Sequence, residues 1–593
     1  MTAAFDLRIN RGTLVDGTGA PGVAGDIGIR DGRIVAMGTF AGDADKTIDA
    51  SGRVVAPGFV DIHTHYDAQA FWDHSLSPSS GFGVTTIVGG NCGFSIAPLS
   101  GKADDADYLL RMLARVEGMP LESLRQGVPW DWTSFGEYLG RLENKLAINA
   151  AFMVGHSAMR RAVMGERAVG HKATVDEIAA MQQLLRQSLA GGGLGLSSTI
   201  SPTHSDGEGN PVPSRHAARE EFLALASVIG EFEGTSLELL PGTGTAFSEY
   251  TQNLMIDMSL AAGRALNWNV LAPNSRMPGV FQAQLAACDT AASRGARLVP
   301  LVTAQVNSIW VNFVSGFVLD AYPGWDALMR LSLPERKKAL ADPDMRRRLD
   351  EGAHSSAAGR RVLTAHWPDW TFAEIHNADN KRWQGKTVGE VAQALGKAPF
   401  DALLDIVIAD DLKTSLLMPP QGADEETWRM LGELWRSEHT VIGASDAGAH
   451  LDMIDTFASA MQVLSIGVRD RKLLSLEEAV RQLTSVPARL VGLRERGQLT
   501  VGNWADIVVF DPKTVSRGPV YTKYDLPGKA GRLYAEPVGV DHVIVNGQPI
   551  VTGAKFQGAF PGKILRSSVD TYTVALPGGA MTAGATLTAA VQL

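Results

Sequence analysis

Two histidines one residue apart, His63 and His65, close the apolar run GFVDIHTHYDAQ at positions 58–69. In an extended chain, side chains i and i+2 emerge on the same face, so both imidazoles point one way, as two ligands of one cation must. Cys92, in the glycine-rich GGNCGFS, and Asp446, in ASDAGAHL, extend the set. Each follows a short apolar run that reads as a strand. Imidazole, thiolate and carboxylate together favour zinc, and a catalytic zinc keeps one position open for water. Glycines on both sides of the GGNCGFS turn keep Cys92 near solvent, whereas Cys288, inside QAQLAACDTAA, reads as a small buried apolar residue without a role.

Groups this far apart in sequence meet only if the strands that end in them are neighbours. Eight short apolar strands alternate with helical stretches, and they end at His65, Phe94, Ser157, Thr199, Gly242, Pro273, Ala304 and His450. Alternation of this kind specifies parallel βα units, and eight of them close into a TIM-like (β/α)8 barrel with its active site at the carboxyl ends of the strands. The fold class is therefore α/β. Strands one, two and eight are adjacent once the barrel closes, which brings His63, His65, Cys92 and Asp446 within reach of one cation. The helices carry plain end signals: Thr174 caps the stretch TVDEIAAMQQLLRQSLAGGG and the glycines from Gly191 end it. Other strand ends offer substrate-binding candidates, namely His156 at the end of strand three, His204 after strand four, Asn269 on strand six and Arg276 after it, the last suited to a carboxylate. His450 reads as a brace of the Asp446 loop.

The first 55 residues and the segment 491–566 share a different grammar, period-two strands broken by Gly and Asp, as in DLRINRGTLVDGTG and VDHVIVNGQPIVTG. They read as two halves of one small β-sandwich, flanking a barrel over 56–490. The stretch 305–439 is too long for a crossover and is rich in tryptophan, which marks a lid or substrate wall over the barrel mouth. Residues 567–593 read as a C-terminal tail. A net charge of −10 and the lack of a basic cluster beyond the short run Arg346–Arg348 argue against nucleic acid as a partner. Two cysteines build no disulfide framework, no apolar run is long enough to span a membrane, and the first residues lack the pattern of a signal peptide. These features predict a cytoplasmic protein acting on a small molecule, with no membrane partner; they leave the oligomeric state open.

Taken in order, PGFVDIHTHYD, GGNCGFS, MVGHSAMRRAVMG, GLGLSST and ASDAGAHL resemble the amidohydrolase superfamily, in its D-aminoacylase (N-acyl-D-amino-acid deacylase) branch. The resemblance runs from about residue 5 to residue 566. It implies that His63, His65 and Asp446 serve one metal position, that Cys92 takes part in metal binding, and that Asp446 handles the proton of the attacking water. It also implies a histidine at the end of strand five and another at strand six, and here the sequence departs. Strand five reads TSLELLPG and strand six LNWNVLAP. Glu238 can serve there as an oxygen ligand or toward substrate, and Asn267 or Asn269 can face inward, but an amide is a weak zinc ligand. One zinc ion per chain is the resulting expectation, with the second position lost or reduced.

The expected reaction is hydrolysis of a linear amide, most simply deacylation of an N-acyl amino acid of D configuration. A zinc-activated water would attack, with Asp446 as general base and then general acid. Hydrolysis of a cyclic or aryl amide is the alternative, the tryptophan-rich insertion accepting an apolar group. A non-catalytic binding barrel that has lost part of its metal centre is the reading from another class.

Overall fold

The structure, a computed structural model, describes residues 3–242, 246–306, 308–316, 318–420 and 422–576; most of the expected tail, 577–593, lies outside the described residues. The two chain ends fold into one nine-stranded sheet. Its first strand, Phe5–Leu14, pairs antiparallel with Val23–Arg30 and parallel with Ala44–Asp49 and Val54–Pro57. From the far end of the chain, Ile507–Phe510 pairs antiparallel with Val54–Pro57, and Val540–Val545 and Gln548–Thr552 continue the sheet. Period-two alternation does the sorting. Leu7, Ile9, Ile27, Ile29, Ile507 and Ile544 meet in one buried cluster while Asp6 stays exposed.

Between the ends run parallel strands buried along nearly their whole length, as strands covered on both faces must be. Phe59–Asp61, Val84–Gly89 and Asn149–Phe152 form one parallel set. Val154–Gly155, Gly195–Thr199, Ser236–Leu240, Leu266–Leu271, Leu298–Val302 and Val441–Ile442 form a second, paired in chain order. Only Met153 separates the last strand of the first set from the first strand of the second. At the other edges Thr64 and Ala447 form a parallel bridge. Strand one thus lies beside strand eight where both run on past their last regular residue. The helix Val175–Ala190 starts on a capping box, Thr174 with Glu177, and stops at Gly191.

Residues 305–439 build a small three-stranded sheet from Trp310–Val311, Thr371–Glu374 and Ser415–Leu417, with helices around it. Their aromatic residues divide between two cores, with Trp310, Trp428 and Trp435 joining the main core of the chain. Trp325, Trp367, Trp370 and Phe400 pack on one another as the insertion's own core, with Trp367 stacked on Phe400 at 5.0 Å. The first residues of the expected tail are packed as well: Thr571 bridges Leu493, and its hydroxyl donates to the Gly234 carbonyl at 2.6 Å. Among the described residues, no helix is long and apolar enough to cross a membrane.

Candidate metal centre

Strand one ends at Asp61, but the chain stays extended through the two histidines. The Thr64 amide and hydroxyl both donate to the Val88 carbonyl (3.0 and 2.9 Å), and the His65 amide donates to Ala447 (2.8 Å). Pinned from both sides, the segment keeps its alternation and turns both imidazoles inward, with ring centroids 5.5 Å apart. Cys92 sits in a one-turn helix after strand two, at φ 55°, following Gly90 at φ 73°, and is buried rather than near solvent as its glycine neighbours suggested. Asp446 stands at φ 57°, its amide donating to the His63 carbonyl at 3.1 Å. Left-handed backbone at two non-glycine residues is strain of the kind that folds keep at functional sites.

The side chains converge. Cys92 Sγ lies 3.4 Å from His63 Nε2, and Asp446 Oδ1 lies 3.1 Å from His65 Nε2 and 3.6 Å from His63 Nε2. One ligand atom each from His63, His65 and Cys92 falls within 4.8 Å of the others. His65 Nε2, although close to Asp446, makes no aligned hydrogen bond and is fully buried. Buried polar atoms are seldom left so. The donor set and this orphaned nitrogen fit a divalent cation. The imidazoles are sealed, at 0% and 2% exposure, while the Asp446 side chain is 27% exposed and is the group a reactant can reach.

Glu117, which the sequence reading missed, completes the surroundings. It follows the helix Ala103–Val116, is buried, and places Oε1 3.6 Å from His65 Nδ1. A carboxylate behind a metal-binding histidine fixes its ring and tautomer. Nothing in RVEGMP marks this residue, because its role depends on where the helix ends in space. Asp67 was legible in principle: it continues the two-residue spacing of His63 and His65, and it accepts from the Gly90 amide at 2.8 Å. His450 joins the group with Nε2 4.0 Å from Asp446 Oδ2, and its amide donates to the Glu117 carbonyl.

With so many ionisable groups in a dry pocket, the metal-free chain is electrostatically unusual. Burial pushes His63 down to about 3. Burial acts the same way on His65, but the carboxylates of Glu117 and Asp446 outweigh it and hold the ring up at about 9. Asp446 stays well below the usual carboxylate range despite burial, because His65 and His63 face it. Burial raises Glu117 to about 7 and Glu238 to about 8, and burial together with the nearby carboxylates pushes the Cys92 thiol up. A bound cation reverses this balance by favouring thiolate and carboxylate, so metal binding must release protons.

The remaining candidates divide. Glu238 is beside the site, its Oε2 accepting from the Cys92 amide at 3.0 Å and its Oε1 buried without a partner among the described residues. Asn267 is its register neighbour on strand six, and Asn267 Oδ1 and Asn269 Oδ1 are buried and unpartnered too. His204 packs on Phe94 at 4.9 Å, has an unpartnered Nδ1, and is lowered to about 3 by burial and by the neighbouring His450. His156 is not brought to the centre as a substrate ligand. Its Nδ1 meets Ser198 Oγ and its Nε2 meets Glu221 Oε1, both at 2.8 Å, and Arg160 closes this buried network on Glu221. A ring with both nitrogens engaged has nothing left for substrate. Arg276 is exposed and forms no ion pair among the described residues. Cys288 is buried and apart from the cluster.

Comparison with known proteins agrees with this geometry. A profile of the amidohydrolase family matches residues 46–551. The D-aminoacylase of Alcaligenes xylosoxydans xylosoxydans is 30% identical over 567 residues, covering 95% of this chain and 97% of that protein. The N-acyl-D-glutamate deacylase of the same organism is 28% identical over 584 residues, at 95% and 97% coverage. Among solved structures, a D-aminoacylase superposes with a TM-score of 0.62 at 27% identity, over 95% of this chain and 100% of that one. Work on D-aminoacylase describes a binuclear metal centre with one-metal activation and second-metal attenuation. An N-acyl-D-glutamate deacylase from Bordetella bronchiseptica, solved with zinc and a phosphonate mimic of the tetrahedral intermediate, superposes with a TM-score of 0.61 at 26% identity and the same coverage. The chain has the mixed α/β fold of these enzymes and belongs to the amidohydrolase family, in its D-aminoacylase branch.

Proposed function

We propose that this chain is a metal-dependent hydrolase of a linear amide that removes the acyl group from an N-acyl amino acid of D configuration. The observation that carries the reading is the convergence of His63, His65, Cys92 and Asp446, with Asp446 alone open to a reactant. The activities named for the relatives support it. The architecture in this reading is a closed (β/α)8 barrel over 56–490 with its insertion at 305–439, and a β-sandwich made from 1–55 and 491–566. The bridge between Thr64 and Ala447 supports closure.

One zinc ion would be held by His63, His65, Cys92 and Asp446. When bound, such a cation polarises the scissile carbonyl and lowers the pKa of water to near neutral. The protein's own part is proton traffic and positioning. Asp446 has its Oδ1 toward the imidazoles and its Oδ2 toward His450, so one oxygen can face the cation while the other takes the proton of the attacking water. It then returns that proton to the leaving nitrogen. Glu117 keeps His65 oriented, and Glu238 holds the Cys92 turn through its amide. His204 and Asn269 offer substrate buried polar atoms that have no partner among the described residues.

The deciding experiment is elemental analysis of the loaded protein together with hydrolysis of a panel of N-acyl D- and L-amino acids and cyclic amides. Turnover of cyclic amides alone, or none by zinc-loaded protein, would overturn the reading.

A further inference from the structure

A groove of about 770 Å³ opens beside the centre, walled by the insertion, by the segment that follows helix Ala103–Val116, and by the loop 522–531 of the terminal β-region. Its floor includes Gly118 and Met119, directly after Glu117. Its wall includes Asp452, two residues past His450 and held by Asn312 Nδ2 at 2.7 Å. The groove therefore lies beside the residues that brace the metal ligands, through their chain neighbours. Cavities of roughly 300–1,000 Å³ take ligands of drug size, so the volume exceeds what a short acyl group or a single amino acid fills.

Two features define what fits. Val314, Leu333 and Tyr524 are 39%, 42% and 48% exposed, large for apolar side chains, and all three line this groove. Exposed apolar surface gathered in one concavity marks a binding site. The charges on the walls are mostly spent within the protein: Arg111 pairs with Asp107 and Glu208, Arg115 with Asp320, and Arg330 with Asp326. Among the wall cations Lys413, from the insertion, and Lys529, from the terminal β-region, are the exceptions, and Asp452, which accepts from Asn312, is the wall carboxylate that has no ion pair among the described residues. Both lysines line the groove and neither forms an ion pair or a side-chain hydrogen bond among the described residues. Two ammonium groups without ion pairs, against one such carboxylate, leave the groove a positive excess beside apolar walls, which is complementary to an apolar chain that ends in an anion.

We propose that the groove is a subsite for a substrate extended beyond its scissile amide by an apolar chain with a terminal carboxylate, recognised by Lys413 and Lys529. This rests on the amide-hydrolase reading above. The carboxylate can belong to the acyl group or to the side chain of the amino acid, and the test separates the two. Zinc-loaded full-length protein and its Lys413→Gln/Lys529→Gln variant are compared on octanedioyl- against octanoyl-D-leucine, and on N-acetyl-D-2-aminosuberate against N-acetyl-D-2-aminooctanoate. Exposed pairs are each worth at most about 1 kcal/mol, so losing both should cut the preference for the anionic member about tenfold in one of the two series. That preference should also weaken with salt. A calorimetric titration of metal-stripped protein with octanoate and with octanamide gives a readout independent of catalysis: octanoate should bind the more tightly, and the variant should lose the difference. Charge-dependent octanoate binding without amide turnover would sink the reaction and keep the groove's specificity. Unchanged preference in both series, with octanoate binding unaltered in the variant, would overturn the proposal.

Discussion

Replacing Glu117 by glutamine keeps the shape of a buried side chain while removing the charge 3.6 Å from His65 Nδ1. Two opposing effects follow, and their balance depends on pH. Two full charges at that distance attract by about 5 kcal/mol at an effective dielectric constant of about 20, which is a ceiling, because a metal-bound imidazole is neutral and offers only its N–H. Removing a partner behind a metal-binding histidine costs about 10–100-fold in affinity, or roughly 1.4–2.7 kcal/mol. Against this, Glu117 is the foremost of the carboxylates that hold metal-free His65 up at about 9. Below that pH a cation must expel the proton, so wild-type affinity gains about tenfold per pH unit from this ring alone until pH 9 is passed. Without the carboxylate the ring loses its proton at lower pH, and that competition ends earlier. The ratio of wild-type to Glu117→Gln affinity should therefore be about 10–100 above pH 9 and shrink toward unity near pH 7. Chelator competition with zinc or cobalt across pH 6.5–9.5 measures it. A ratio near one at every pH would show that Glu117 only fills space.

Other outcomes follow from the same geometry. Asp446→Asn keeps a carbonyl oxygen for the cation but accepts no proton, so it should retain most of its metal and lose hydrolysis by about 100-fold or more, whereas His63→Ala should lose both; near-normal turnover of Asp446→Asn would send the search for a base to Glu238. Reloaded protein should hold about one tightly bound zinc per chain, and two full equivalents would refute the assignment of Glu238 and the two asparagines as poor substitutes for histidine. Burial lowers His156 below its ordinary 6.5, while Glu221 is held below 4.5, against burial, by His156 and Arg160. A lowered folded pKa contributes stability above the unfolded value that is lost as pH falls, so Tm should drop from pH 7.5 to pH 5 and do so less steeply in His156→Gln. Parallel slopes would remove His156 from the acid response.

Some of this was legible in sequence because local rules and the final fold agree. The two-residue spacing of His63 and His65 survives beyond the regular strand since backbone bonds on both sides hold it extended. Cys92 and Asp446 were legible through their neighbours, runs of small residues around a turn that needs left-handed backbone. The two chain ends announced a shared sheet through one alternation. What was hidden depends on three-dimensional partners. Glu117 acts because a helix ends beside His65, and no spacing encodes that. His156 looked free at a strand end, yet Glu221 and Ser198, distant in sequence, occupy both its nitrogens. The tryptophans of the insertion suggested a substrate wall, and spacing could not tell that Trp325, Trp367 and Trp370 would be taken up in a core that a segment of this length must bury for itself.

Strands five and six show what such partners imply for the metal. By resemblance the branch places a histidine on each; here the inward positions carry Glu238 and, opposite it in register, Asn267. A buried carboxyl oxygen without a partner costs roughly 1–3 kcal/mol, and Asn267 and Asn269 add two more orphan oxygens nearby. The fold bears that cost while Glu238 spends its other oxygen on the Cys92 amide, and so on the turn that presents the thiol. Exchange of nitrogen for oxygen donors weakens this side for zinc, which prefers nitrogen and sulfur, and Cys92 stands against the His63 imidazole instead. The 3.4 Å between Cys92 Sγ and His63 Nε2 puts the thiol on the side of strands one, two and eight, and the proposal of a single zinc gives Glu238 the scaffold of the cysteine rather than a second ion.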